Sequence, residues 1–418
     1  MRAFDEGVIF YPLYALLFAA AGLSTAQITS LFVIWSGVSF VFEVPSGAWA
    51  DAFSRRRLLA AGALIRGAGF LAWGVFPNYY GFAFGFVCWA LQGAMTSGTM
   101  EALLYDELAA IGATNRYTAI IARAATAAMV AMLVASAVAT PVFAWGGFGL
   151  ITAGSVAVCL GGAVTALMLP ERPRVAASGA GALAYLHSLR LGLSEVRHEP
   201  RVWRAVVVAA LVPGLTALDE YVALLVHDLG VAVVGVPLAL TVMIGAMAAG
   251  SLYAERRAAA SPGWIAYAVG LSAVALAVGS LSGNLAGLVP IAACYGLLQM
   301  AGVLTEARLQ DTMSGRARAT VLSVSGLGME IASLLVYAGF AAGSFRLDVP
   351  QLSALFAVPI LAIAWLTARW LPGYAHPGDL LGSEPPDRSE PPDRSQPPPE
   401  TGWHPPEEER SRSVHRGV

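Results

Sequence analysis

Apolar stretches of membrane-crossing length, bounded by arginine, proline or asparagine, recur along the chain. They fall at 7–22, 26–49, 58–76, 80–108, 117–140, 148–169, 203–226, 236–252, 263–281, 285–307, 319–343 and 350–371. A helix rising ~1.5 Å per residue needs about 20 apolar residues to cross a bilayer core. The pattern therefore predicts an all-α membrane protein with twelve transmembrane helices. Residues 170–200 form a longer polar connection. Within it Leu183, Leu186, Leu189, Leu193 and Val196 recur at helical spacing while His187, Arg190 and Arg197 fall elsewhere on the wheel. That spacing predicts an amphipathic helix lying along the membrane surface.

Composition sharpens this picture. Of the 418 residues 57% are apolar and 12% charged, with mean hydropathy +0.65. Soluble domains carry about a quarter charged residues. Charge is concentrated in 372–418, where Ser383-Glu384-Pro385-Pro386-Asp387-Arg388 repeats as Ser389-Glu390-Pro391-Pro392-Asp393-Arg394. Such a segment buries too little apolar area to offset its ordering entropy, so it is expected to be a disordered Pro-rich cytoplasmic tail, either dispensable or a docking segment.

Arginine placement predicts the topology. Arg55-Arg56-Arg57, Arg116, the run from Arg172 to Arg204, Arg256-Arg257, Arg316 and Arg318 all follow even-numbered spans, whereas odd-numbered spans are followed only by Arg346. The positive-inside rule then puts both termini in the cytoplasm of a multi-pass plasma-membrane protein. Phe18-Ala19-Ala20-Ala21-Gly22 imitates a signal-peptide cleavage site, but Asp5 and Glu6 outweigh Arg2 ahead of it, so 7–22 is expected to be the first span.

The chain contains no lysine. A phosphate-binding loop and a Schiff base both need one, so nucleotide hydrolysis is not expected. Cys88, Cys159 and Cys294 lie far apart in apolar runs, and neither HExxH nor GxSxG occurs. No enzyme activity, cofactor, metal or nucleic-acid partner is expected. The partners expected are the lipid bilayer, a small-molecule substrate and protons.

A parallel repeat at an offset of about 205 residues organises the body. Cys88-Trp89-Ala90-Leu91-Gln92 and Glu101-Ala102-Leu103-Leu104-Tyr105-Asp106 recur as Cys294-Tyr295-Gly296-Leu297 with Gln299, then Glu306-Ala307-Arg308-Leu309-Gln310-Asp311. Two six-span halves in one orientation, 1–169 and 201–371, are the build of a large class of secondary transporter. The loop after span 2 points to the same class. Gly47, Asp51, Arg55 and Arg56 match the signature Gly-x-x-x-Asp-(Arg/Lys)-x-Gly-(Arg/Lys)-(Arg/Lys), while Ala52 and Ser54 depart from it. Over residues 4–371 the chain resembles the major facilitator superfamily. Thr140-Pro141 followed by Gly146-Gly147 is similar in part to the Gly-Pro-x-x-Gly-Gly segment of its drug–proton antiporters.

That resemblance implies two pseudo-twofold-related six-helix bundles working by alternating access. It implies a cytoplasmic gate in which Asp51 approaches residues 317–320. It also implies that helices 1, 4, 7 and 10 line a cavity, which nominates Tyr11, Tyr14, Trp89, Gln92, Thr216, Tyr295 and Gln299 as ligand contacts, with Gln92 and Gln299 facing each other.

Ionisable residues inside the spans are costly and face the interior or water. Glu43, Arg66, Glu101 and Arg123 share a depth of roughly 9–12 Å from the cytoplasmic ends, at ~1.5 Å per residue. The pairs Glu43/Arg123 and Glu101/Arg66 would form either a fixed brace or a moving gate. Glu330, Asp219 and Glu220 have no basic residue at their depth. A carboxyl taken out of water without a cation resists ionising, so each is either a proton carrier or a structural hydrogen-bonding group. Glu330, flanked by Gly326 and Gly328, is nearest mid-membrane. Proton-coupled export of amphipathic or drug-like molecules is expected. Uptake of a metabolite and a non-transporting sensor or scaffold are the alternatives.

Overall fold

The computed structural model describes residues 1–172, 199–312 and 318–373, with the side chains of 43–48, 50–52, 318–320 and 323 left aside. The amphipathic segment 183–196 and the repeats of the tail lie outside the described residues. The described residues are all-helical. The first half holds α1 (Arg2–Glu6), α2 (Tyr14–Ala20), α3 (Thr25–Ala52), α4 (Arg55–Val75), α5 (Tyr79–Thr96), α6 (Thr99–Ala110) and α7 (Tyr117–Met168). The second holds α8 (Pro200–Gly214), α9 (Val222–Asp228), α10 (Val236–Arg256), α11 (Pro262–Ser280), α12 (Leu288–Asp311), α13 (Arg318–Gly343), α14 (Val349–Leu355) and α15 (Ala357–Trp370).

Nine of the described helical stretches are long and apolar enough to cross a membrane. A count of twelve requires three further readings. The first span is not the continuous 7–22 helix expected, because α1 stops at Gly7 and Pro12 interrupts the turns before α2. The fourth is broken at Gly98, whose φ of 67° only glycine adopts cheaply. The fifth and sixth merge in the 52-residue α7, where Gly147 has φ 56° and ψ −153°. Ala131 lies against Gly7, and Gly161 against Phe4, about equally far on either side of Gly147. The two arms of α7 therefore fold back on each other. Gly146-Gly147, similar to part of an antiporter segment, makes this hairpin.

The repeat shows in the packing. Within the first half α5 packs on α3 and α4, and α4 on α7; within the second, α12 packs on α10 and α11, and α11 on α15. The halves meet along two seams, α3 with α13 and α7 with α10. Because span 2 corresponds to span 8 and span 5 to span 11, each seam is the repeat equivalent of the other. An aromatic core of Phe10, Phe18, Phe70, Trp73, Phe82 and Phe86 fills the first half. Trp73 is fully buried and its Nε1–H donates to the Phe82 carbonyl at 3.1 Å, so its polar atom is satisfied.

Candidate functional site

The break in span 7 builds the site. Pro213 has no N–H to give and Thr216 Oγ1 donates to the Pro213 carbonyl at 2.6 Å, so α8 ends and residues Leu215–Tyr221 tighten into a 3-10 helix. Gly214 lets this break press against Ala332, and the Gly328 position meets Ala210 of α8. The expected room beside Glu330 is thus occupied at Gly328 and open at Gly326. The 3-10 helix carries Asp219 and Glu220 into a cavity of about 100 Å3 between the halves. Tyr11, Tyr14, Met132 and Ser136 form its first-half wall, and Ala223, Leu240, Met243 and Met247 its second-half wall. Glu220 is 8% exposed and its Oε2 has no hydrogen-bond partner. The described walls contain no arginine.

Aromatic groups gather around the acids. Tyr11 lies within electrostatic reach of Asp219, Glu220, Glu6 and Tyr337; Tyr295 reaches Asp219 and Glu220. Trp89 stands 6.1 Å from both Tyr11 and Tyr14, ring centre to ring centre. Tyr11, Tyr14, Trp89, Tyr295, Asp219 and Glu220 are therefore one neighbourhood. Thr216 is turned back onto its own helix. Gln92 Nε2 donates to Thr96 Oγ1 at 3.3 Å and Gln299 Nε2 to Ser251 Oγ at 3.2 Å. Each glutamine thus has a partner inside its own half.

Glu330 sits apart, in the α3–α13 seam, where Ser36 Oγ donates to its Oε2 at 2.9 Å. Two more hydrogen bonds among the described residues cross between the halves: Tyr221 Oη to Thr29 Oγ1 at 3.0 Å, and Ser136 Oγ to the Pro237 carbonyl at 2.9 Å. Phe32 adds ring contacts to Tyr221 and Tyr337. Among the described residues these bridges lie from mid-helix toward the ends remote from the arginine-rich loops. Nothing in the sequence singled out Thr29, Ser36, Ser136 or Tyr221, because small hydroxyls in apolar runs carry no pattern until a partner helix is known.

The charge pairs differ from those expected. Arg66, 4% exposed, donates to the Asp5 carbonyl at 2.9 Å and the Phe4 carbonyl at 3.2 Å, and lies 3.7 Å from the Asp5 carboxylate. It caps the free carbonyls at the end of α1, where a cation is favoured. Glu101 instead pairs with Arg2. The Glu101/Arg66 pair is not formed, since the interruption after α1 supplies Arg66 with closer acceptors. Arg123 is exposed beside Ala3, Thr126 and Val130. The Glu43 side chain lies outside the described residues.

At the loop after span 2, expected to be a cytoplasmic gate, the side chain of Asp51 and residues 313–317 are likewise outside the description. Arg55 is buried and donates to Asp106 at 2.6 Å, while its backbone N–H donates to Glu171 at 2.6 Å. Ser54 Oγ also bonds Glu171, and Arg56 approaches it at 3.7 Å. The loop is thereby tied to the ends of spans 4 and 6. In the repeat the polarity reverses: buried Arg308 at the end of span 10 donates to the carbonyls of Ala258 and Ala260 in the loop after span 8. A separate apolar groove of about 390 Å3 between α8, α13 and α14–α15 is lined by Leu215, Leu335, Leu352 and Phe356 among others. With no ionisable group in its described lining, it offers no such chemistry.

Similar folds recur among solved transporters. A bacterial homologue of the human lysosomal transporter Spinster, inward-facing and occupied, aligns at 15% identity over 88% of this chain and 94% of that one, with TM-score 0.65. The nucleoside transporter NupG aligns at 12% identity over 88% and 97%, TM-score 0.67, and a D-xylose–proton symporter at 14% over 89% and 95%, TM-score 0.63. No curated protein matches the chain in sequence. The sequence model of the Major Facilitator Superfamily matches residues 1–337. Carrying that match over most of its length on a fold of the same kind, the chain belongs to the major facilitator superfamily and is a secondary transporter, not an enzyme.

Proposed function

We propose that this protein exports small organic molecules across the plasma membrane in exchange for protons, by rocking residues 1–169 against 201–371 around the central cavity. One observation carries the reading. Glu220, nine-tenths buried with an unpartnered Oε2, stands beside Asp219 in a cavity between the halves. A carboxyl that meets water only when the cavity opens can change protonation with each opening, which is what coupling requires. Among the described residues Tyr11, Tyr14, Tyr221, Tyr295, Tyr337 and Glu6 are the other ionisable groups facing this pair.

The bridges Thr29–Tyr221, Ser36–Glu330 and Ser136–Pro237 hold the arginine-poor side together. With arginine-rich loops and both termini in the cytoplasm, the structure reads as closed to the outside, the state in which an exporter loads. Inside-out vesicles containing the protein test this. Under an imposed proton gradient, acid inside, they should accumulate substrate while releasing protons. Gradient-driven loss of substrate from such vesicles would indicate uptake into the cell, and no gradient-driven flux would indicate a sensor or scaffold.

A further inference from the structure

We infer that the ligand of the central cavity is an organic cation with an aromatic or alkyl body, its charge held at Asp219 and Glu220 and its body against Tyr11, Trp89 and Trp35. This rests on the proposed transport reading, which places the ligand in that cavity. Three independent features point to the same chemistry. The first is charge. Glu6, Asp219 and Glu220 converge within electrostatic reach of Tyr11, and no arginine lines the described walls. Arg66, one of two buried arginines among the described residues of the first half, donates to the carbonyls of Phe4 and Asp5. It and Arg2 lie within electrostatic reach of Glu6, so the unbalanced negative charge rests on Asp219 and Glu220. A recess with one sign of charge and low-dielectric walls concentrates ions of the opposite sign.

The second feature is the wall. Tyr11 is 37% exposed, with half-buried Trp89 beside it and half-buried Trp35 against Trp89. Tyr11 and Trp89 stand at 71° to each other, and Trp89 lies 5.6 Å from Trp35. Ring faces attract a cation, most strongly where water is excluded. Met132, Met243 and Met247 add adaptable, polarisable surface suited to bodies of varied shape. The third feature is what is missing for other ligands. The described lining holds no arginine to pair a phosphate or an organic acid, and Asp219 and Glu220 there disfavour both.

Size divides the ligand into two parts. Pockets that enclose drug-sized molecules run to about 300–1,000 Å3, whereas this cavity is about 100 Å3. It has room for a cationic head, and the body must extend past Tyr11 toward the exposed Glu6.

The test uses the full-length purified protein and three probes: radiolabelled phenethyltrimethylammonium and benzyltrimethylammonium, each a compact cationic head on an aromatic body, and the neutral isostere (3,3-dimethylbutyl)benzene as control. Equilibrium dialysis should show saturable binding of a cation that the neutral control does not displace. Asp219→Asn with Glu220→Gln should weaken that binding by about tenfold or more. Trp89→Leu should weaken it about three- to tenfold. Circular dichroism and thermal unfolding confirm that each variant is folded. Absence of saturable binding of either cation, equal binding of the neutral control, or cation binding indifferent to the acidic double variant would each overturn the inference. Proton-driven flux is scored separately. Cation binding that follows the acids without any such flux would sink proton coupling and leave the ligand class standing, and flux without cation selectivity would do the reverse.

Discussion

Ser36 donates a 2.9 Å hydrogen bond to Glu330, joining the middle of α3 to the middle of α13 across the boundary between the two repeats. The carboxyl regarded as lone in the sequence is held by the opposite half. On the proposed transport cycle, Glu330 is part of a seam that opens with the outer side. Ser36→Ala removes the bond, and one net hydrogen bond contributes about 1 kcal/mol. The equilibrium should move roughly fivefold toward outward-open, read as increased labelling of an outer-facing cysteine by an impermeant reagent. Glu330→Gln still accepts from Ser36, so it should fold and remain closed, and loss of proton-driven transport in it would add Glu330 to Asp219 and Glu220 as a proton carrier. If that variant still concentrates substrate in response to a proton gradient, Glu330 is a latch alone.

Asp219 and Glu220 give the sharper test of coupling. Glu220→Gln replaces a buried carboxyl lacking one partner with a neutral group of the same shape, so thermal stability should be unchanged or slightly raised. Flux driven by a proton gradient should fall at least about tenfold, the effect of losing a positioned proton-transfer group. Substrate exchange without net proton movement should persist at raised substrate concentration, with a weaker apparent affinity because one of the two carboxyls that hold the cation is gone. Wild-type rates of gradient-driven transport in both Glu220→Gln and Asp219→Asn would move coupling away from this pair.

The gate loop supports a third expectation. Asp106→Asn leaves buried Arg55 without its 2.6 Å carboxylate partner. Because Asp106 is half exposed, the loss should be about 1–2 kcal/mol, within the range for hydrogen bonds to charged groups. A lowered unfolding temperature with intact substrate binding would fit this. Asp51→Asn should instead change conformation, shifting the population toward inward-open. Unchanged cysteine accessibility on both sides of that variant would count against Asp51 as a gate residue.

A fourth expectation concerns packing alone. A Cβ at Gly85 would collide with the Trp73 indole, which is fixed by its bond to Phe82 and by Phe10, Phe18 and Phe86 around it. Gly85→Ala should destabilise the first half by about 1–3 kcal/mol, as overpacking does. The check is thermal unfolding in detergent, and no change would show that α4 and α5 can separate freely.

The expected ends of many spans lie close to the observed ones, because membrane crossing demands length and apolarity and both are written locally. Arg55 and Pro262, for example, open α4 and α11 near where the pattern places them. The duplication was also legible, since Cys88 through Asp106 and Cys294 through Asp311 preserve residue type at one offset. So were Asp219 and Glu220 as misfits in an apolar run.

What the sequence determined by itself is therefore the class of protein, its repeat and the residues too polar for their depth. Which partner each of those residues takes was decided only by tertiary structure. Equal depth suggested Arg66 with Glu101, but depth is one coordinate, and the interruption after Glu6 places the carbonyls of Phe4 and Asp5 nearer to Arg66. Glu330 needed Ser36, distant in the chain and indistinguishable from any other serine in a helix. Local patterns record how each helix meets lipid. The contacts between helices depend on rotation about their axes and on breaks such as Pro213, which fix faces that no single stretch of sequence contains.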